Sequence, residues 1–209
     1  MKLYFARGSS SLATRIVFLE CGLPFDATEI DEHTKIMVGG GDFRTVNPLG
    51  YVPAVELDDG SILTEGSAIS QYLVDRLAEK KLAPANGTIG RTRMQAWLNF
   101  LTGELHKGGL TPLFSSKMPE EAKAIFRSRV ASRLSHLDKH LGSNKYLLGE
   151  EYSIADVHCF VMLSWLNWVG IDIANYPALV SYHARIRSRP SVDAALESER
   201  LIPWPASAP

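Results

Sequence analysis

A chain of 209 residues with 45% apolar and 22% charged side chains has the make-up of a soluble globular protein, long enough for one large domain or two small ones. Its formal net charge of -1 leaves no basic footprint for nucleic acid or an anionic membrane surface, so a small molecule or a protein is the expected partner. The start, Met1 to Arg7, lacks the apolar run of a secretion signal. The longest apolar stretch, Cys159 to Ile171, is broken by Ser164 and Asn167 and is too short to span a bilayer, so cytoplasmic residence is the expectation.

Residues 2–6 read as a short apolar strand. Gly8-Ser9-Ser10-Ser11 then leads into Leu12, Ile16 and Leu19 at helical spacing, and Cys21-Gly22-Leu23-Pro24 stops that helix. Phe25 to Ile30 follows as a second strand, making the opening a βαβ unit with parallel strands. A loop with Lys35 and Gly39-Gly40-Gly41 comes next, then a short helix near Asp42 to Thr45 and the turn signals Asn47-Pro48 and Leu49-Gly50. Asp59-Gly60, between Ala54-Val55-Glu56-Leu57 and Ile62-Leu63, predicts an antiparallel hairpin with a two-residue loop.

Two short features in this half admit more than one reading. Pro53 cannot donate to a strand ladder and belongs at a strand start, an edge or a special turn. A trans Val52-Pro53 bond is the commoner form, whereas a cis bond would turn the Val52 N–H and C=O outward to pair with an extended peptide. Glu65-Gly66-Ser67 opens a helix bearing Ile69, Tyr72, Leu73 and Leu77. That start is either an ordinary cap or a place where the Gly66 and Ser67 N–H groups hold a carboxylate while Glu65 holds an ammonium.

From Ala78 to Gly87 the composition shifts to linker residues, and everything after it is helical in pattern. Met94, Trp97, Leu98, Leu101 and Leu105 form one stripe, and Ile125, Phe126, Val130, Leu134, Leu137 and Leu141 another. Ser153-Ile154-Ala155-Asp156 reads as a capping box, assigned to folding rather than chemistry. Leu179 to Ile186 and Val192 to Leu196 give two further helices, and the segment around Trp204 an extended tail. Cys21 and Cys159 belong to no C-x-x-C or metal-spaced cluster, so they read as buried free thiols and no metal site is expected.

The β-α-β-α-β-β-α order, the Val-Pro before the third strand, the Glu-Gly-Ser helix start and the all-helical second half together resemble the glutathione transferases. Asn47-Pro48-x-Gly50-x-Val52-Pro53-Ala54, Leu63-Thr64-Glu65-Gly66, Trp97-Leu98-Asn99 and Glu104-Leu105-His106-Lys107-Gly108 are similar to the bacterial beta class, and the likeness covers essentially the whole chain. It implies an α/β plus all-α fold: a thioredoxin-like domain over 1–79 that binds glutathione, a linker at 80–87, and a helical domain over 88–209 that contributes an electrophile pocket and dimer contacts. It further implies a cytoplasmic homodimer with glutathione as co-substrate and a hydrophobic electrophile as second substrate, and it makes the Val52-Pro53 bond cis.

The resemblance also assigns residues. Val52, beside Pro53, pairs with the cysteinyl backbone of glutathione, Glu65 with its γ-glutamyl ammonium, Gly66 and Ser67 with the adjacent carboxylate, and Lys35 with the glycyl carboxylate. His106 and Lys107 match residues near the sulfur, and Asn99 and Glu104 match positions that reach glutathione from a partner subunit. Leu110, Pro112, Leu113, Phe114 and Trp165 are the candidates for the electrophile pocket, although such apolar spacing also describes plain core.

One departure bears on the chemistry. Beta-class members carry cysteine where this chain has Ser10, so thiol–disulfide exchange through a protein thiolate is not expected. Serine can still act as a donor to sulfur: lowering a thiol pKa by about two units needs about 2.7 kcal/mol, and one hydrogen bond to a charged group contributes about 1.5–3. Tyr4, near the end of the first strand, is the rival hydroxyl, and Ser11 a weaker one. Two other readings stand beside the transferase: a non-catalytic, regulatory member of the same fold, and a glutathione-dependent reductase or dehalogenase.

Overall fold

The computed structural model describes residues 1–201, so the Trp204 tail lies outside the described residues. The described chain falls into two compact units, Met1–Lys81 together with residues 189–201, and Leu82–Ser188. The sequence reading put all of 88–209 in one helical domain; the contacts instead group the last helix with the first unit, for reasons given below.

The first unit is built on a four-stranded mixed sheet in the order β2-β1-β3-β4, with β1 at Lys2–Phe5, β2 at Asp26–Glu29, β3 at Ala54–Glu56 and β4 at Ile62–Thr64. β1 runs parallel to β2, with Leu3 opposite Ala27, and antiparallel to β3, with Leu3 opposite Val55. Between β1 and β2 lies α1, Ser11–Cys21, ended by Gly22 in the left-handed conformation with φ of 68°. Leu12, Ile16, Val17 and Phe18 of α1 are buried, as is Arg15, whereas Leu19 of the predicted stripe is exposed. Asp42 caps a short 3-10 turn at Phe43–Thr45.

The hairpin forms where expected but its loop is longer by one residue. Gly60 N–H donates to Leu57 C=O and Leu57 N–H to Ser61 C=O, leaving Asp58, Asp59 and Gly60 as a three-residue loop. Gly60 takes φ of 82°, which fits a type I turn closed by a left-handed residue rather than a two-residue primed turn. β4 leads directly into α2, Gly66–Asp75. The closing helix α8, Pro190–Ser198, packs on α1, as does α2.

The second unit is helical. α3, Ile89–Asn99, runs without interruption into a π-helical stretch, Phe100–Leu110, and then into α4, Thr111–Phe114. Met94, Leu98, Leu101 and Leu105 of the expected stripe are buried and Trp97 half-buried, and within the wider winding Gly109 and Leu110 are buried beyond it. Glycine is required there. A Cβ on Gly108 would lie 2.7 Å from the Gly103 carbonyl oxygen, and one on Gly109 2.9 Å from Val130 Cγ2 of the neighbouring helix.

That neighbour is α5, Glu120–Leu141, whose Val130, Leu134, Leu137 and Leu141 are buried as the stripe predicted, whereas Phe126 is half-buried and Ile125 exposed. α6, Ile154–Ser164, begins with the capping box: Ser153 N–H donates to Asp156 Oδ2 at 2.8 Å. The same carboxylate accepts from Leu147 N–H at 2.9 Å and from the Tyr182 hydroxyl of α7, Pro177–Arg187, at 2.9 Å, so one buried acid joins a loop and two helices. No helix among the described residues is long and apolar enough to cross a membrane.

Candidate functional site

The three candidate hydroxyls sit within one strand and one helix start, and their surroundings differ. Tyr4 is 3% exposed on β1, its ring 5.5 Å from that of Phe43, and its hydroxyl donates to Glu56 Oε2 at 2.7 Å. Burial and the adjacent Glu56 carboxylate push its pKa up to about 12. Ser11 is wholly buried: its hydroxyl donates to Ala6 C=O at 3.1 Å, accepts from Ala6 N–H at 3.2 Å, and shares a hydrogen bond with Ser9. The Tyr4 hydroxyl therefore ties β1 to β3, and that of Ser11 ties the end of β1 to α1. Ser10, half-buried at the N-cap of α1, makes no capping bond and donates instead to Val52 C=O at 3.3 Å.

That contact joins the helix start to the second part of the site. The Val52-Pro53 bond is cis, with Val52 half-buried and Pro53 buried. Asn47, also buried, steadies the approach by donating from Nδ2 to Tyr51 C=O at 2.7 Å. Lys35 lies beside this loop: its side chain would touch a Cβ on Gly50 at 3.4 Å, and its ammonium is 6.0 Å from the Tyr51 ring centroid.

The hairpin brings in the third part. Ala54 pairs with Thr64, so the residues just outside the ladder, Pro53 and Glu65, are neighbours across β3 and β4. Glu65 is exposed and held at φ of 66°, an uncommon backbone for a non-glycine residue that Lys35 shares at φ of 64°. It is the N-cap of α2, whose first residues are Gly66 and Ser67. The first unit thus has Ser10, Lys35, Val52, Pro53, Glu65, Gly66 and Ser67 on the segments that leave β1, β2 and β4 and enter β3, at one end of the sheet.

In the second unit the predicted residues separate into groups. His106 is half-buried with its ring centroid 4.9 Å from that of Trp165, and Phe114 meets the same indole edge-on at 6.0 Å. Burial, with the nearby Lys107 and His158, lowers the His106 pKa to about 4, so its imidazole is neutral at physiological pH. Phe114 is 47% exposed and Pro112 half-buried, whereas Leu110 and Leu113 belong to the core. Asn99, Glu104 and Lys107 are exposed, and Glu104 pairs with Arg133 of α5.

A cleft of about 710 Å³ opens elsewhere in this unit, lined by Trp97, Phe100, His136 and His140 among others, and none of the predicted pocket residues lies on it. No cluster suited to a metal ion occurs among the described residues.

Comparison with known proteins decides the family. The chain matches the model of the glutathione S-transferase N-terminal domain over residues 9–76 and that of the C-terminal domain over 103–199. It is 37% identical over 201 residues to glutathione S-transferase GstA of Escherichia coli O157:H7, covering 96% of this chain and 100% of that one. The chain belongs to the glutathione S-transferase family. Among solved structures, a sphingomonad glutathione S-transferase complexed with glutathione superposes on this family member with a TM-score of 0.93 at 43% identity, covering 97% of this chain and all of that one. The bacterial beta-class enzyme of Sphingomonas chungbukensis does so at 44% identity, with the same TM-score and coverage.

Sequence reasoning missed one buried ion pair in this transferase. Arg15 Nε of α1 donates to Glu199 Oε1 at 2.9 Å, and Gly8 N–H donates to Glu199 Oε2 at 2.8 Å. Burial raises the Glu199 pKa, and the Gly8 N–H and Arg15 partly offset that rise. The one available signal was a charged Arg15 inside the apolar stripe of Leu12 and Ile16; nothing local announces a carboxylate so far along the chain.

Proposed function

We propose that the chain conjugates the thiolate of glutathione to an apolar electrophile, with Ser10 as the hydroxyl that stabilises the sulfur. The observation that carries this reading is the half-buried Ser10 hydroxyl, 3.3 Å from the Val52 carbonyl at the start of α1, while Tyr4 and Ser11 are engaged elsewhere. Glutathione is an extended tripeptide, so its cysteinyl backbone would pair with Val52 as an added strand does, which supports placing the thiol beside Ser10. Glu65 then takes the γ-glutamyl ammonium, the N–H groups of Gly66 and Ser67 the neighbouring carboxylate, and Lys35 the glycyl carboxylate.

The chemistry asked of the protein is modest. The thiol releases its proton to solvent, Ser10 and the first turn of α1 hold the resulting charge, and the sulfur forms a bond to the electrophilic carbon as the leaving group departs with the bonding pair. The neutral His106 with Trp165 and Phe114 forms the part of the helical unit whose character suits an apolar second substrate. The reading includes a homodimer to which the exposed Asn99 and Glu104 contribute, and analytical ultracentrifugation tests it: a monomer at micromolar concentration removes that part.

Retention on immobilised glutathione together with turnover of a chlorodinitrobenzene tests the whole. Absence of binding at millimolar glutathione refutes the transferase reading, and binding without turnover of any activated aryl halide turns it into a binding protein.

A further inference from the structure

Glu199 is the C-cap of α8, and its side chain is fully buried although nothing apolar is gained by burying a carboxylate. Its two oxygens divide their work. One receives Arg15, whose guanidinium also lies 4.1 Å from the centroid of Phe5 at the end of β1. The other receives the peptide N–H of Gly8, in the turn that Ser9 N–H closes onto Ala6 C=O at 3.2 Å. A carboxylate needed merely to neutralise Arg15 would have no call on Gly8.

Nor is Glu199 required to dock α8. The other end of that helix is fastened to α1 independently, through Arg189 Nε and Nη2 to Glu20 at 2.6 and 2.9 Å and through the Ser191 hydroxyl to Glu20. What Glu199 adds is a hold on the turn two residues before Ser10. Gly8 takes φ of 66°, and the Ser10 side chain makes no bond to its own helix but donates to Val52 C=O, so the aim of its hydroxyl follows from where the turn holds the backbone. We propose that Glu199 is a positioning residue for the thiol chemistry: by gripping Gly8 it fixes the turn from which Ser10 presents its hydroxyl to sulfur. The inference rests on the reading of Ser10 given above.

The test follows the pKa of bound glutathione by its ultraviolet thiolate absorbance, with steady-state kinetics alongside. Glu199→Gln keeps one carbonyl oxygen and turns an NH2 toward the second donor, so either Gly8 or Arg15 loses its acceptor. The bound thiol pKa should rise by about half a unit and kcat fall by about threefold below that pKa, with KM for glutathione unchanged. In a Ser10→Ala background the same substitution should add no further shift. Arg189→Gln, which loosens the far end of α8, should lower the melting temperature and leave the thiol pKa in place.

A shift that persists in the Ser10→Ala background, or that Arg189→Gln reproduces, overturns the inference, because Glu199 would then act through packing alone. Should Glu199→Gln not fold, Glu199→Asp keeps the charge beside Arg15 but falls short of Gly8 by one methylene, and is judged by the same criteria. In the unaltered protein the Gly8 amide should be protected from hydrogen exchange; rapid exchange there refutes the inference without any variant. If Ser10→Ala itself leaves the thiol pKa unmoved, the reading of Ser10 fails and this one with it, whereas a shift with Ser10→Ala and none with Glu199 variants sinks this one alone.

Discussion

Replacing Ser10 by alanine separates a hydroxyl that stabilises sulfur from one that merely decorates a helix start. The Ser10 hydroxyl donates to Val52 C=O at 3.3 Å, well beyond the usual length of about 2.7–2.8 Å for such a bond. Turning it toward a thiolate therefore forfeits about 0.5 kcal/mol and gains about 1.5–3, because the new acceptor is charged. The net, about 1–2.5 kcal/mol, corresponds to a thiol pKa higher by roughly one unit in the variant. The pH profile of kcat/KM with a chlorodinitrobenzene should show this as about a tenfold loss at its acidic end that recovers above the new pKa. Folding stability should change by less than about 0.5 kcal/mol, since no capping bond is removed. A loss of equal size at every pH, with the thiolate absorbance titrating as before, would refute the reasoning.

Tyr4→Phe removes the donor to Glu56 and should cost about 1 kcal/mol in urea unfolding while leaving the thiol pKa untouched; movement of that pKa would restore Tyr4 as the sulfur's partner. Gly108→Ala places a methyl 2.7 Å from the Gly103 carbonyl oxygen and should destabilise the protein by about 1–3 kcal/mol, read as a lower melting temperature; an unchanged value would mean the π-helical turn relaxes freely. His158 and His183 are buried with pKa values lowered to about 4 from 6.5. The unfolded chain thus binds protons that the folded one does not, so stability is complete above pH 6.5 and is lost as pH falls toward 4. Each should remove about 2 kcal/mol by pH 5, and a flat urea midpoint from pH 7 to 5 would contradict that.

The parts of the fold that were legible in the sequence are those whose cause is local. Asp59-Gly60 announced the hairpin, Ser153 with Asp156 the capping box, and Gly22 the end of α1, because each is settled by backbone geometry within a few residues. The hairpin's loop length was misjudged because a left-handed Gly60 serves a three-residue loop as well as a two-residue one. The π-helical stretch was hidden since Leu98, Leu101 and Leu105 keep α-helical spacing, and the tight packing of Val130 over Gly109 is set by the neighbouring helix. Among three consecutive serines, Ser10 was put ahead of Ser11 by the family resemblance alone. What distinguishes them is that Ser11 is claimed by the Ala6 backbone, whereas Ser10 reaches across to Val52.

The pairing of Glu199 with Arg15 also orders events during synthesis. An N-terminal unit that emerges from the ribosome as far as Lys81 has its whole sheet, α1 and α2, but Arg15 is then a cation without its carboxylate and one flank of α1 lacks its covering helix. The acid that completes it is translated only after more than a hundred further residues have formed the helical unit. The first part of the chain to be made is thus among the last to be finished, and a nascent chain stalled before Arg189 should stay open to protease at α1.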